Sequence, residues 1–172
     1  MELVLGFITD NLRYLDSINR IIGGLVYPRS ILKKEVMENL NERRLNFLND
    51  TIEYYSENIN RRCTDEYGNC YYNPASVGKE EISEGCAIGR HLSKELKEKL
   101  DKLFGSEGAI EEVYEDVLVD NEDFPSDLIS LGLVFLRDIQ LLHDYHTHWK
   151  VGGLTELGEL RVSLIKNQYE LN

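Results

Sequence analysis

The chain has 172 residues, of which 42% are hydrophobic and 29% charged, and its formal net charge is −12 at pH 7. This size and composition are typical of one globular domain that buries a core without disulfides or structural metal. The negative charge argues against nucleic acid or an anionic membrane as a partner, because phosphate contacts need clustered lysine and arginine. No apolar run has the length of a membrane span, and the opening segment lacks the features of a signal peptide, so a cytoplasmic location is expected.

Apolar spacing predicts that the first 60 residues are mainly helical. Leucine and isoleucine recur at helical intervals over residues 12–22. Ser30 is expected to cap a helix over residues 31–40, and Asn41 either caps a second helix or lies within one continuous helix. An apolar stripe continues beyond it through Leu45, Leu48, Ile52, Tyr55 and Ile59.

A loop-rich insert with an unusual density of glycine, cysteine and tyrosine follows. Gly68-Asn69 is typical of a tight turn, and Cys70–Tyr72 is expected to form a short strand paired with the residues before that turn. Residues 73–85 are expected to be mostly loop. Ser93 is then expected to cap a helix that ends at Gly105. The predicted buried face of that helix comprises Leu96, Leu100 and Leu103.

The C-terminal third contains the helix around which the fold is expected to form. Pro125-Ser126-Asp127 is a strong helix start, and the helix predicted from about Ser126 to Trp149 is apolar nearly all round between Leu128 and Leu136. An amphipathic helix near residues 110–118 precedes it. Thr155 is expected to cap a last helix. That helix is expected to be buried through Leu157, Leu160, Leu164 and Ile165. These elements predict a mainly α, helical single domain around a central helix, with a short β-hairpin or loop insert.

Three histidines lie near the expected end of the central helix. At 100° per residue, His146 falls on the buried stripe, so its side chain is expected to point inward. Gln140, His143 and Asp144 share a second arc. A His-Asp pair is typical of metal-dependent phosphohydrolases, which need a further histidine and a further aspartate from other helices. His91 meets the first need, and no aspartate clearly meets the second.

Asp138 lies near the edge of the same apolar stripe. Its carboxylate therefore needs a partner, because burying an unpaired charge is costly. Arg90 and His91 in the insert are the expected partners. Their contact with Asp138 would dock the insert onto the central helix, which is a structural role.

The three cysteines are odd in number and have no Cys-x-x-Cys spacing, so they are expected to be free thiols packed as small hydrophobes. A set that matches zinc in ligand type and number, though not in spacing, comprises Cys63, Cys70, Cys86 and His91. A nucleophilic Cys86 paired with His143 is a further alternative. The sequence therefore assigns no metal ligands, no cofactor and no catalytic residue.

The strongest functional signal is a glycine-rich loop before a helix. The segment Gly85–His91 leads into the helix that starts near Ser93, where backbone N–H groups, the helix dipole and the Arg90 guanidinium favour an anion. Neighbouring tyrosines offer stacking surfaces, and two arginines and a lysine nearby add positive charge. This combination predicts a site for a small anionic, nucleotide-like ligand. Its predicted residues are Tyr71, Tyr72, Gly85, Gly89, Arg90, His91, Gln140, His143 and Asp144.

Three motifs occur in a fixed order along the chain. They are Cys70-x-Tyr72, Cys86-Ala87-Ile88-Gly89-Arg90 and Asp138-Ile139-Gln140-x-x-His143-Asp144, with Trp149 soon after. In these motifs the chain resembles a widespread family of small phage and bacterial proteins that has no settled activity, over about residues 45–165. Residues 1–44 are then an N-terminal helical extension, and residues 45–172 are the family-like core. The chain has Asn73 where the family has arginine, so one anion contact is in doubt.

The resemblance implies an accessory protein of phage genomes, which would act in the cytoplasm of the host cell. Its expected function is to bind and sequester a small anionic, nucleotide-like molecule and so to counter host defence signalling. One alternative is a metal-dependent hydrolase that uses His91, His143 and Asp144. The other is an inhibitor that presents the acidic surface of residues 111–123 to a host protein. A homo-oligomer is compatible with each of these.

Overall fold

The structure, a computed structural model, describes residues 29–105, 110 and 124–171. Across these residues the chain is mainly helical and has one short two-stranded antiparallel hairpin, which confirms the predicted fold class. None of the helices in this part of the chain is both long and apolar enough to cross a membrane.

Contacts divide the chain into two compact units, residues 1–37 and 38–172. The first unit is described only from residue 29 onward. The helix predicted over residues 12–22, the acidic surface of residues 111–123 and most of the helix predicted near residues 110–118 lie outside the described residues.

The longest element is helix α1, Arg29–Glu57. The sequence has no glycine or proline in this range, so no residue interrupts the backbone hydrogen bonds. The helix is therefore continuous through Asn41, and a 3₁₀ turn, Ile59–Arg61, follows it. Leu48 and Tyr55 are fully buried and form the contribution of α1 to the core.

The insert that follows α1 is irregular. Where a short strand is predicted, the structure has a single antiparallel bridge between Thr64 and Cys70. The Asp65 carboxylate closes the turn between them by accepting hydrogen bonds from the N–H groups of Tyr67 and Asn69, each at 2.9 Å. These local bonds stabilise a turn instead of a longer ladder. The short 3₁₀ helices of the insert are Pro74–Val77 and Gly89–His91.

Helix α2, Lys94–Phe104, has the predicted ends. The Ser93 hydroxyl caps it by accepting a hydrogen bond from the Leu96 N–H at 3.2 Å, and Gly105 follows its last residue with a φ of 60°. Leu96 is buried as predicted, but Leu103 is exposed. Helical spacing identifies the apolar face, and it does not tell how far neighbouring elements cover that face.

The prediction of one continuous helix over Ser126–Trp149 is wrong. The structure has two helices there, α3, Ser126–Ile129, and α4, Leu133–Asp144. Gly132 separates them with a φ of +94°, a backbone conformation that cannot continue a helix. Helix α4 still forms the centre of the core, because Phe135, Leu136, Ile139 and Leu142 are all fully buried.

Helix α4 ends earlier than predicted because side chains satisfy its last carbonyl groups. The Trp149 indole donates a hydrogen bond to the Leu142 carbonyl at 2.8 Å. A 3₁₀ turn, His146–His148, connects the end of α4 to the strand that begins at Trp149. His146 is exposed, so the prediction that it points inward is wrong. It lies beyond Asp144, where the angular spacing of an α-helix no longer applies.

A tight hairpin and a last helix complete the fold. Strands β1, Trp149–Lys150, and β2, Gly153–Leu154, pair antiparallel. Helix α5, Glu156–Gln168, begins as predicted at Thr155, whose hydroxyl accepts a hydrogen bond from the Gly158 N–H at 3.2 Å. The predicted burial of Ile165 is confirmed, but the predicted burial of three leucines is wrong, since they are 52–57% exposed. The exposed leucines are Leu157, Leu160 and Leu164.

Asp138 attaches α5 to α4. Its carboxylate accepts three hydrogen bonds from the end of the chain, at 2.7, 3.1 and 2.8 Å. The donors, in the same order, are Arg161, Gln168 and Tyr169. The prediction that Arg90 or His91 pairs with Asp138 is therefore wrong, and the carboxylate docks the last helix instead of the insert.

Candidate metal centre

Three side chains that can bind a metal converge where the insert meets the end of α4. Cys70 comes from the bridged turn of the insert, and His143 and Asp144 are the last two residues of α4. The His143 Nδ1 atom lies 2.9 Å from Asp144 Oδ1 and 3.4 Å from Cys70 Sγ. The three atoms all lie within 4.8 Å of one another. This is close to twice a metal–ligand distance of ~2.0–2.3 Å, so small side-chain shifts would place all three around one ion.

Burial differs sharply across these three side chains. The His143 side chain is 0% exposed, whereas that of Asp144 is 30% exposed. Cys70 is half-buried. An ion at this position would have packed protein on its imidazole side and solvent access beside the carboxylate.

The His143 imidazole is held in a single environment. Burial lowers its pKa, so the ring is neutral at pH 7, the form that binds metal ions. Its Nδ1 atom contacts Cys70 and Asp144, while Nε2 has no hydrogen-bond partner within the described part of the chain. The Tyr55 ring lies beside it, with 4.6 Å between ring centroids. For Nδ1 to bind a metal, the proton of the neutral ring must be on Nε2.

The Cys70 thiol stays protonated in the absence of a cation. Burial raises its pKa, and the neighbouring Asp144 carboxylate raises it further. A divalent cation reverses both effects, because it compensates for lost hydration and offsets the negative carboxylate. The environment of Cys70 therefore suits a metal ligand better than a free thiolate.

The same geometry argues against a Cys-His-Asp proton relay. In such a relay the nucleophile and the carboxylate contact opposite nitrogens of the imidazole, so that a proton passes through the ring. Here Cys70 and Asp144 both contact Nδ1 of His143. The alternative nucleophile, Cys86, is buried, and its sulfur accepts a hydrogen bond from the Gly89 N–H at 3.2 Å. Burial also raises the pKa of Cys86.

The four-ligand zinc set considered from sequence does not assemble among the described residues. Cys70 is the one member of that set that joins the cluster of ligand atoms found there. Cys63 and Cys86 are buried, and burial of Cys63 raises its pKa to about 12. His91 contacts helix α1 through the Phe47 ring, at 4.7 Å between centroids.

Two predicted ligand-binding residues, Tyr72 and Gln140, contact each other in the core. Tyr72 is buried, and its hydroxyl lies 3.5 Å from the Gln140 Nε2 atom. Gln140 also accepts a hydrogen bond from the Ile110 N–H at 3.0 Å. Tyr71 is half-buried and packs against the core. These tyrosines therefore lie in or against the core instead of presenting open surfaces for stacking.

The amides of the glycine-rich loop are engaged within the loop. The Gly85 N–H donates to the Ser83 hydroxyl at 3.1 Å, and the Gly89 N–H donates to Cys86 Sγ at 3.2 Å. A Cβ atom on either glycine would approach the Tyr72 carbonyl oxygen to 2.5 Å or less. The glycines thus allow close packing of the loop on the insert, and their N–H groups already have protein acceptors.

Arg90 and His91 belong to a separate cluster on helix α1. The Arg90 guanidinium pairs with Asp50 and lies over the Tyr54 ring, 4.5 Å from its centroid. The Arg90 Nε–H donates to His91 Nε2 at 3.1 Å, and the Arg90 side chain is 6% exposed. His91 lines an open cleft of about 460 Å³. The other lining residues are Arg43, Asn46, Phe47, Asp50, Pro125, Asp127, Leu128 and Leu131.

The structure therefore brings together one part of the predicted site and separates another. Gln140, His143 and Asp144 lie near the end of α4, where Tyr72 contacts Gln140, whereas Arg90 and His91 contact α1. Sequence reasoning did not place Cys70 beside His143 and Asp144. The sequence contains the motif with Cys70 and the motif with His143 and Asp144. Their presence in one chain does not specify the distance between side chains that are 73 residues apart.

Comparison of the chain with family models, with curated proteins and with solved structures finds no match. The functional assignment accordingly depends on the chemistry of the centre formed by Cys70, His143 and Asp144.

Proposed function

We propose that this protein is a metal-dependent hydrolase in which Cys70, His143 and Asp144 hold one divalent ion of the zinc class. The observation that carries the proposal is the convergence of one sulfur, one nitrogen and one oxygen ligand atom within 4.8 Å. Mixed thiolate, imidazole and carboxylate ligands favour zinc-like ions, whereas Mg²⁺ and Ca²⁺ prefer oxygen alone.

The number of ligands favours catalysis over a purely structural role. Structural zinc sites use four protein ligands, and catalytic sites use three and keep one position for water or substrate. Within the described residues the cluster contains three ligands, and the partial exposure of Asp144 gives solvent a path to it. An ion bound there would lower the pKa of its water and supply hydroxide near neutral pH.

The residues of the chain supply charge balance and orientation. Cys70 loses its proton on binding, so its thiolate and the Asp144 carboxylate together neutralise a divalent ion. His143 is fixed by full burial and by contact with Tyr55, and its neutral imidazole binds without adding charge. The centre can therefore form at a partly buried position without leaving an unbalanced charge.

Sequestration of a nucleotide-like anion stays a prediction with less support from the geometry. Its main anion contacts, Arg90 and the amides of Gly85 and Gly89, are engaged by Asp50 and by groups of their own loop. A ligand would have to displace these partners. Phage origin, action against host defence, inhibition of a host protein, cytoplasmic location and self-association also stay predictions.

Metal titration tests the proposal directly. We expect the purified chain to bind one Zn²⁺ or Co²⁺ per molecule, with a thiolate-to-cobalt charge-transfer band in the Co²⁺ form. Cys70→Ser should remove that band, and Asp144→Asn should weaken metal binding strongly, because each removes one of three ligands. Asp127→Asn, which changes an exposed carboxylate away from the centre, is the matched control and should bind metal as the wild type does.

Hydrolysis is tested separately with the metal-loaded protein on phosphomonoesters, phosphodiesters and carboxylic esters. Turnover that depends on the metal and disappears in Asp144→Asn would support the hydrolase. A folded wild-type chain that takes up no Zn²⁺ or Co²⁺ would overturn the whole proposal. Stoichiometric metal binding with no turnover of any ester would overturn the catalytic role and leave the metal centre.

A further inference from the structure

The Arg62 guanidinium joins two consecutive ligands of the proposed centre. Its Nε–H donates to the His143 carbonyl at 3.0 Å, and its Nη2–H donates to the Asp144 carbonyl at 2.9 Å. Arg62 as a whole is 7% exposed. Within the described part of the chain, this nearly buried guanidinium is bound by two backbone carbonyl oxygens and by no carboxylate.

The end of helix α4 explains part of this arrangement. The last carbonyl groups of a helix have no partners within the helix and carry the negative end of its dipole. Arg62 satisfies two of these groups with two donors of one planar fork. Because the fork is rigid, it fixes the relative orientation of the His143 and Asp144 peptide groups.

The backbone of Arg62 leads into the bridged turn that carries the third ligand, Cys70. The next residue, Cys63, accepts a hydrogen bond from the Tyr71 N–H at 2.9 Å, and Thr64 forms the bridge with Cys70. Lys79 Nζ also donates a hydrogen bond to the Arg62 carbonyl, at 2.8 Å. Arg62 therefore contacts the helix end with its side chain and belongs to the bridged turn through its backbone.

We infer that Arg62 is the positioning residue that assembles the metal centre, an inference that rests on the proposed function. Its guanidinium binds the carbonyl oxygens of His143 and Asp144, so it does not compete for Nδ1 or Oδ1. It sets the distance between the insert, which supplies Cys70, and the end of α4, which supplies the other two ligands. Partners of this kind typically change metal affinity by about 10–100-fold.

The experiment compares Co²⁺ affinity and spectrum in wild type, Arg62→Lys, Arg62→Gln and the control Arg61→Gln. Arg61 is the neighbouring arginine, and it pairs with the exposed Glu57. We expect Arg62→Gln to bind Co²⁺ about 10–100-fold more weakly and to shift or weaken the thiolate charge-transfer band. Arg62→Lys keeps the charge and loses the fork, so it should restore part of the affinity and little of the band. Arg61→Gln should match the wild type.

Far-ultraviolet circular dichroism and thermal melting identify which variants are folded before titration. Lower melting of Arg62→Lys or Arg62→Gln with wild-type affinity and spectrum in the folded protein would overturn the inference, because Arg62 would then act on stability alone. If Arg62→Gln does not fold, Arg62→Lys gives the decisive comparison, and a wild-type spectrum there overturns the inference equally. A wild-type chain without metal binding would show that the proposed function itself has failed, and the inference with it.

Discussion

His143 and His91 are both largely removed from solvent, yet their neighbours give them different chemistry. His143 has its Nδ1 atom between a thiol and a carboxylate, two groups that attract a cation. The Nε2 atom of His91 accepts a hydrogen bond from Arg90, a fixed positive group. A metal ion is therefore favoured beside His143 and disfavoured beside Nε2 of His91. Residue type alone does not distinguish these two imidazoles.

The protonation of His91 should make folding stability depend on pH. Burial, together with the positive charges of Arg90 and Lys97, lowers its pKa to about 4. Since the unfolded imidazole has a pKa of about 6.5, the unfolded state binds a proton first as the pH falls. The stability from neutral His91 is therefore complete above pH 6.5 and is lost as the pH falls towards 4. After allowance for solvent screening we expect a loss of about 1 kcal/mol between pH 7 and 5.

Urea unfolding of wild type and His91→Gln at pH 7 and 5 measures this effect. The variant should lose about 1 kcal/mol less than the wild type over this interval, because glutamine does not titrate. His143 is present in both proteins, so its contribution cancels in the difference. Equal pH dependence in the two proteins would show that His91 titrates with its ordinary pKa.

The elements of the fold were predictable where a local signal sets their ends. Ser93 and Thr155 cap α2 and α5 at the positions that their sequences indicate. The prediction of a continuous helix over Ser126–Trp149 was wrong because no local signal sets its interruptions. The break at Gly132 requires a positive φ that glycine permits but does not impose, and the end at Asp144 depends on distant side chains. Helical spacing also predicted burial of the leucines of α5, although it does not show whether another element covers them.

The contact between α4 and α5 should depend on the Asp138 carboxylate. Asp138→Asn keeps the size of the side chain but leaves the Arg161 guanidinium without its ionic partner at 2.7 Å. The loss of charge also weakens the hydrogen bonds from Gln168 and Tyr169. Since hydrogen bonds to charged groups contribute about 1.5–3 kcal/mol, we expect the free energy of unfolding to fall by about 2–3 kcal/mol at pH 7.

Chemical denaturation compares this variant with Glu98→Gln, which changes an exposed pair between Glu98 and Lys94 at 3.8 Å. An exposed pair of this kind contributes about 0–1 kcal/mol, so the control should change stability little. If Asp138→Asn is as stable as Glu98→Gln, the packing of Ile165 and its neighbours holds α5 without the carboxylate.

At the scale of the whole molecule, the sequence showed which residues are chemically distinctive but not how they group in space. It placed His143 and Asp144 on one helical arc, a local relation that the structure preserves. The pairing of Arg90 with Asp50 and the approach of Cys70 to His143 each join segments that are far apart along the chain. Such groupings follow from tertiary packing, which local sequence patterns do not determine.

A centre that joins the insert to α4 should also stabilise the folded molecule when metal binds. The ligands come from Cys70 and from His143 and Asp144, which the unfolded chain does not hold together, so a metal ion binds the folded state preferentially. At 100 times its dissociation constant a ligand adds about 2.7 kcal/mol. For a protein of this size, that corresponds to a rise in the melting temperature of about 5–10 °C.

Zn²⁺ should produce this shift in the wild type and a chelator should reverse it, whereas Mg²⁺ at the same concentration should have no effect, because it prefers oxygen ligands. Asp144→Asn should lose most of the shift. An equal shift in wild type and Asp144→Asn would mean that zinc stabilises the fold from another position, and the centre proposed at the end of α4 would then be wrong.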